Sequence, residues 1–384
     1  MRDQFLLDPD LVFLNHGSFG ACPRPVLDAY QRWQRELERN PVELLGRRSA
    51  ALLGEARGAL AGFVGARRED LVFVTNATVG VNTVARSLDL GPGDEVVSTD
   101  HEYGACDDAF AVACRRAGAA YVKAEIPLPY PGDEAFVDAL WSAVTPRTRA
   151  IFLSHVTSPT ALVFPVAAVC RRARAEGILA IVDGAHAPGQ LDLDLTALGA
   201  DFYTGNCHKW LCAPKGSAFL HARPERQGAL DGLVVSWGYH AELHADTSHE
   251  PYTGADPLAR RHQWHGTRDP SAFLAVTDAI EFWRRPDVAD ARAACRALAA
   301  EFQARLADLT GTAPLCPPGA LGQMVAAQLP PCDPAALQRA LFERFRIEVP
   351  CFLFRGRPII RASLQVYNTP ADAEALCAAL PALL

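Results

Sequence analysis

The sequence predicts a layered α/β domain built on a mostly parallel sheet, followed by a smaller C-terminal α+β domain. Three observations predict it. Short β-rich runs alternate with amphipathic stretches from about Ala51 to Ala222. Those runs are apolar throughout rather than alternating, as strands buried on both faces are. The length of 384 residues also exceeds what one compact core organises.

The strands are expected at Leu71–Thr75, Glu95–Thr99, Tyr121–Ile126, Ala150–Ser154, Ile178–Asp183 and Ser217–His221, with helices such as Asp133–Val144 and Val166–Glu176 between them. From Arg223 to about Trp264 periodicity fades and Gly, His and aromatic residues accumulate, which predicts irregular structure. A long helical pattern then runs from Pro270 towards Leu309. It should bend at Arg285-Pro286, where proline removes a backbone donor. The remainder mixes strands (Met324–Leu329, Pro358–Leu364) with helices (Pro334–Phe345, Ala371–Leu380).

Composition narrows the function. Hydrophobic content of 49% and charged content of 21% are those of a soluble globular chain. A net charge of -7 with no basic stripe argues against nucleic acid or an anionic membrane as partner. The opening ten residues lack a signal-peptide core, and no apolar run is long enough to span a bilayer. Eleven cysteines without a CxxC pair or a framework spacing favour a reducing compartment. The expectation is a cytoplasmic protein.

Lysine is nearly absent: of 37 basic Lys and Arg residues only Lys123, Lys209 and Lys215 are lysine. An arginine cannot lose its proton at working pH and so cannot form an imine, whereas a buried lysine can. Lys209 sits between His208 and Trp210, a poor context for a surface lysine. Upstream, the apolar run 178–182 ends in Asp183-Gly-Ala-His186, which places a carboxylate at the edge of the sheet; an ordinary Asp-Gly turn has the same pattern. A lysine and an aspartate about one strand unit apart are what pyridoxal phosphate asks of a protein, an imine partner and an anion for its pyridinium nitrogen.

Thr75-Asn-Ala77-Thr78-Val-Gly follows a strand and opens a helix, so its N–H groups suit a phosphate or serve as a plain cap. Asn206 and His208 stand beside the lysine to complete such a cup. Tyr103 in Asp100-His-Glu-Tyr-Gly is placed to stack on a flat ring, and Arg361 is a strand-borne guanidinium suited to a carboxylate. Each of these is also a common structural residue. His240, His244 and His249 have no carboxylate paired with them in the sequence, so no metal is expected. Gly91-Pro-Gly93 lacks the third glycine of a dinucleotide loop.

Together these motifs, with Phe13-Leu-Asn15-His16-Gly17-Ser-Phe-Gly20, Gly205-Asn-Cys-His-Lys209-Trp-Leu-Cys-Ala-Pro-Lys-Gly216 and His265-Gly-Thr267-Arg-Asp269, resemble the class V aminotransferase group of fold type I pyridoxal-phosphate enzymes. That group includes cysteine desulfurases, and the likeness is greatest to its isopenicillin N epimerase-like members. The resemblance spans nearly the whole chain. It implies a large three-layer pyridoxal-phosphate-binding domain over 21–270, a small domain over 271–384 and a segment 1–20 packed near the active site.

It further implies that Lys209 carries the cofactor as a Schiff base, Asp183 pairs with the pyridine nitrogen, His186 lies near the phenolic oxygen and Tyr103 stacks on the ring. Ala77, Thr78, Asn206 and His208 hold the phosphate, and Thr267 reaches the phosphate of a partner subunit in a homodimer with shared sites. Arg361 binds the substrate α-carboxylate, with Asn15, His16, Gly17 and Ser158 lining the pocket. The reaction implied is epimerisation or racemisation at the α-carbon of an amino acid or conjugate. C–S β-elimination on a cysteine conjugate, or desulfuration through Cys351, is the alternative, and transamination ranks behind. A pocket for a large side chain is expected around Trp237, Tyr239, Tyr252 and Phe352–Phe354, with Arg355 or Arg357 free for a second carboxylate.

Overall fold

The computed structural model describes residues 1–384. Twelve strands form in chain order: β1 (Val12–Phe13), β2 (Leu71–Val74), β3 (Glu95–Thr99), β4 (Ala120–Ala124), β5 (Thr148–Ser154), β6 (Leu179–Asp183), β7 (Phe202–Asn206), β8 (Ala218–Ala222), β9 (Met324–Gln328), β10 (Ile347–Glu348), β11 (Cys351–Phe354) and β12 (Arg357–Ser363). Seven of them make one sheet in the order β2-β8-β7-β6-β5-β3-β4. All run parallel except β8, which returns directly from β7 and pairs antiparallel with both neighbours.

Successive residues of each central strand are buried against opposite layers, as the pleat requires. Ile151 and Leu153 of β5, Ala180 and Val182 of β6, and Leu71 and Phe73 of β2 face one apolar layer. Ala150 and Phe152, Ile181, and Val72 and Val74 face the other. Helices cover both faces, which explains the uninterrupted apolar runs. β7 escapes sequence reading because Thr204, Gly205 and Asn206 look like loop. Gly205 is there because a Cβ would meet the Phe219 ring at 2.7 Å and Pro188 at 2.8 Å.

The predicted bend at Pro286 is a full break: helices Val276–Arg284 and Pro286–Thr310 flank an extended Arg285. The longer helix packs Cys295, Ala299, Phe302 and Leu306 against the antiparallel sheet β11-β12-β9. Helix Pro334–Phe345 forms where the sequence predicts it, begun by Asp333 accepting from Ala335 N and Ala336 N. The region 223–264, expected to be irregular, holds short helices, among them His240–His244, Glu250–Thr253 and Pro257–Gln263. No helix is long and apolar enough to cross a membrane.

The N-terminal segment ties these parts to the lysine loop. β1 pairs with β10, Ser363 N donates to Leu14 O at 2.8 Å, and the chain then crosses to residue 209. Gly20 lies in the left-handed region (φ 72°), and a Cβ there would sit 1.9 Å from the His208 carbonyl oxygen. Gly20→Ala should therefore destabilise the protein by about 1–3 kcal/mol. Its thermal midpoint should fall by several degrees, while Gly228→Ala, with nothing within 4 Å of its Cβ, should leave the midpoint in place.

Candidate active site

Five parallel strands deliver residues to the same edge of the sheet, where each ends: β2 leads to Ala77 and Thr78, β3 to Tyr103, β5 to Ser158, β6 to Asp183 and β7 to Lys209. Chemistry collects at this edge because loops leaving parallel strands open there. The cavity they enclose is about 350 Å³ and is lined by Thr78, Tyr103, Asp183, His186, Asn206, His208 and Lys209, among others. A second cavity of about 340 Å³ shares Ser18, Phe19, Tyr103, Ser158 and Lys209 with it and adds Gly17, Glu102, Pro350, Phe352 and Arg361.

Lys209 is presented on a tight connection between β7 and β8, closed by Cys207 N to Ser217 O at 3.0 Å and Ala213 N to Cys207 O at 3.0 Å. Its Nζ lies 3.1 Å from His186 Nε2, and His186 Nδ1 accepts from Trp210 Nε1 at 3.2 Å. An indole N–H can only donate, so Nδ1 is the unprotonated nitrogen and the imidazole proton resides on Nε2. That N–H needs an acceptor. An ammonium offers none; a neutral amine does. Burial, with Arg361 nearby, lowers the Lys209 pKa to about 8, and burial holds His186 far below its usual value. Geometry and electrostatics agree that His186 is neutral and that Lys209 gives up its proton more readily than a lysine in water.

Asp183 is buried, accepting from Ala185 N at 2.9 Å and from the Cys106 thiol at 3.5 Å. Burial raises its pKa, so a cation placed beside it would be favoured. At the other end of the cavity, Asn76 caps helix Ala77–Ser87 by accepting from Val79 N at 2.9 Å, and Asn206 Oδ1 accepts from Ala77 N at 2.8 Å. Thr78 N–H takes no partner within the chain and faces the same helix end. His208 Nδ1 is fixed against Ser217 O at 3.0 Å. An aromatic ring with an aldehyde, a cationic nitrogen and an anionic tail fits this donor set: a neutral amine, a buried carboxylate and an open helix N-terminus.

Arg361 is a buried guanidinium without a carboxylate. Nη1 donates to Ser158 O at 2.6 Å and Ser158 Oγ at 3.0 Å, and Nη2 donates to Ser18 Oγ at 3.2 Å. Nε has no partner at all. Arg57, equally enclosed, is paired with Asp256 at 2.9 Å. Burial lowers the Arg361 pKa to about 10, and no carboxylate of the chain pairs with it to offset that cost.

Several expectations need correction. His16 is fully buried and does not line either cavity: Nδ1 meets Tyr367 Oη at 2.9 Å and Nε2 meets the Lys209 carbonyl at 2.9 Å, so it holds the lysine loop from behind. Asn15 also turns away, donating to Glu348 Oε1 at 3.2 Å. Thr267 is exposed and lines neither cavity of its own chain. Arg355 is not free, since it pairs with Asp100 and donates to Ile126 O at 2.8 Å. Trp237, Tyr239 and Tyr252 line neither cavity, whereas Phe352 does.

Cys351 is buried on β11 opposite Ile360, and burial pushes its thiol up to about 12. A turn at Arg355-Gly356 closes β11 and β12 into a hairpin in place of a mobile loop. Both facts count against a nucleophilic thiol. Sequence reading missed Ser18, Phe19 and Glu102. Burial raises the Glu102 carboxyl to about 8, between Thr99 Oγ1 and Ser154 Oγ, each at 2.5 Å.

The family described as aminotransferase class-V matches residues 12–376. The chain is 40% identical over 388 residues to an isopenicillin N epimerase of Amycolatopsis lactamdurans, covering 100% of this chain and 97% of that protein. It is 30% identical over 410 residues to a probable L-cysteine desulfhydrase, chloroplastic, of Arabidopsis thaliana, covering 98% and 84%. Among solved structures, the cystine C-S lyase C-DES in complex with its product cysteine persulfide aligns with a TM-score of 0.83 at 24% identity, over 97% of each chain. The cysteine desulfurase CsdA of Escherichia coli aligns at 0.81 and 22% identity, over 99% and 96%. These two structures show the shared fold.

A neutral Lys209 has a measurable consequence. Its condensation with an aldehyde, trapped by borohydride and located by mass spectrometry, should rise with pH and reach half its maximum near pH 8, because protonation below about 8 removes the nucleophilic lone pair. Trp210→Phe should shift that midpoint by freeing the His186 tautomer; a midpoint near 10.5 in the unaltered protein would contradict the assignment.

Proposed function

The chain belongs to the class V aminotransferase family, and from that premise we propose that it is a pyridoxal-phosphate enzyme acting at the α-carbon of an amino acid or amino-acid conjugate, most like an isopenicillin N epimerase in reaction. The observation that carries this reading is the spacing of unmet needs around one cavity system: a buried amine of lowered pKa at Lys209, a buried carboxylate at Asp183 and an unpaired guanidinium at Arg361. The likeness to isopenicillin N epimerases over the full chain supports epimerisation.

Lys209 would hold the cofactor, Asp183 its ring nitrogen and His186 Nε2–H its phenolic oxygen, with Tyr103 over the ring and Ala77, Thr78, Asn206 and His208 around the phosphate. Pyridoxal phosphate, when bound, supplies an aldehyde for the substrate amine and a ring that withdraws electrons from the α-carbon. Arg361 orients the substrate by its α-carboxylate, against Ser158 and Ser18. Asp183 keeps a proton on the nitrogen it faces. The released Lys209 amine, its pKa lowered to about 8 so that a usable fraction is free base near neutral pH, is tethered at the cavity they share and takes the α-proton. Inversion needs a second donor on the face away from Lys209, a role for which Tyr103 in the shared cavity lining is the candidate, whereas departure of a β-substituent is elimination.

C–S elimination is the second reading, supported by the desulfhydrase relatives. Desulfuration by a protein thiol is disfavoured by the burial of Cys351. The supporting features for a homodimer are Thr267, exposed and away from its own cavity, and Phe19 and Tyr103, 74% and 49% exposed at the cavity. A reducing, cytoplasmic setting is supported by eleven unpaired cysteines. Light scattering on the eluted protein should give twice 41.4 kDa.

Incubation in deuterium oxide tests the reaction. The expected result is deuterium at the α-carbon of recovered substrate with both configurations present. Pyruvate and ammonia from a cysteine conjugate, without exchange, would select the second reading. Arg361→Ala should lower kcat/KM by roughly 30- to 150-fold, the loss of about 2–3 kcal/mol from charge-assisted hydrogen bonds. Colourless protein that takes up no pyridoxal phosphate would end both readings.

A further inference from the structure

A second cluster lies on the surface excursion after β8, apart from both cavities at Lys209. Its sequence spacing is His240-x3-His244-x-Asp246-x2-His249. Helix His240–His244 brings its two imidazoles one turn apart, with ring centroids 4.5 Å from each other. Ala245 then adopts a left-handed conformation (φ 53°), which ends the helix and folds the chain back. Asp246 Oδ2 arrives 3.1 Å from His240 Nε2, while Asp246 Oδ1 accepts from Ser248 N at 2.9 Å. His249 completes the group: one ligand atom each from His240, Asp246 and His249 lies within 4.8 Å of the others.

The third ring is held in place. Trp237 stacks on His249 at 4.2 Å and 11°, and Ser248 Oγ lies 3.2 Å from His249 Nδ1. A plain His–Asp ion pair accounts for His240 and Asp246 alone. It leaves unexplained why His249 converges on them and is braced there from two sides.

We propose that His240, Asp246 and His249 form a binding site for a divalent transition metal of the zinc class, with His244 or water completing the coordination. Two imidazoles and one carboxylate suit such ions, whereas calcium and magnesium take oxygen donors. Zinc bonds of about 2.0–2.2 Å in a tetrahedron place neighbouring donors roughly 3.3–3.5 Å apart. The His240–Asp246 pair, 3.1 Å apart, needs to open only slightly to that spacing, and His249 must close by on the order of 1 Å, within the reach of partly exposed side chains. The bound ion clamps helix His240–His244 to the start of helix Glu250–Thr253, fixing the surface that exposes Trp237 and Leu243. The sequence alone hid this site because no carboxylate is recognisably paired with the histidines until Ala245 reverses the chain.

Titration of the full, chelator-stripped chain with cobalt, followed by displacement with zinc, tests the proposal. The expected result is one equivalent per chain with visible d–d absorption. His249→Ala and Asp246→Ala should each weaken binding by roughly tenfold or more, with far-UV circular dichroism and metal-free thermal midpoints unchanged. Prior capping of accessible thiols should leave binding intact. Absence of binding, binding of equal strength in both variants, or binding lost on thiol capping would each overturn it.

Discussion

The candidate active site depends on one buried amine that loses its proton more readily than a lysine in water. Burying an ammonium without a counterion costs several kcal/mol, so the pKa of the group falls, here to about 8. The Trp210–His186–Lys209 chain adds direction to that tendency. Trp210 can only donate, which turns the His186 proton towards Lys209, and only the free-base amine can accept it. Asp183 favours the ammonium through space but does not contact it within hydrogen-bond distance, and Arg361 opposes it. The result is a nucleophile near neutral pH, built from neighbours rather than from the lysine itself.

The same logic governs the opposite ends of the cavity. Asp183 and Arg361 are both buried, both lack an ionic partner within the chain, and both are supported only by neutral hydrogen bonds. A protein that gained nothing from them would be more stable with apolar residues there. Their retention as separated, oppositely charged groups makes the site a template for a ligand with complementary charges at both ends. The backing is correspondingly rigid: His16, buried between Tyr367 and the Lys209 carbonyl, pins the lysine loop to the N-terminal segment, which β1 in turn ties to β10.

The legible part of the site was the part written in residue type. Lys209 stood out because lysine is nearly absent elsewhere, Asp183 because it ends an apolar run, and Arg361 because it lies on a strand. Strands buried on both faces were legible for the same reason, their unbroken apolar character. What escaped was set by contacts distant in sequence. β7 carries Thr, Gly and Asn because Phe219 and Pro188 leave no room at Gly205. His16 resembled a pocket residue but is spent on Tyr367 and a carbonyl, and Arg355 resembled a free cation but is spent on Asp100. No local pattern announces that Trp210 dictates the tautomer of His186, 24 residues away.

The reaction is decided less by these groups than by what they leave out. In the proposed reading Lys209, Asp183 and Arg361 serve any chemistry that begins by loosening bonds at the α-carbon, so they are common to epimerisation and elimination alike. Desulfuration asks for one more group, a thiolate able to leave the protein frame and reach the substrate. Here the candidate, Cys351, is locked opposite Ile360 in a hairpin, and burial holds it as the thiol. In the place where such a thiol would approach, the cavity wall is Pro350 and Phe352. An apolar wall supplies no nucleophile and no proton. It can only shape a side chain and exclude water, which leaves the outcome to the leaving ability of the substrate's β-substituent and to a second donor such as Tyr103 opposite Lys209.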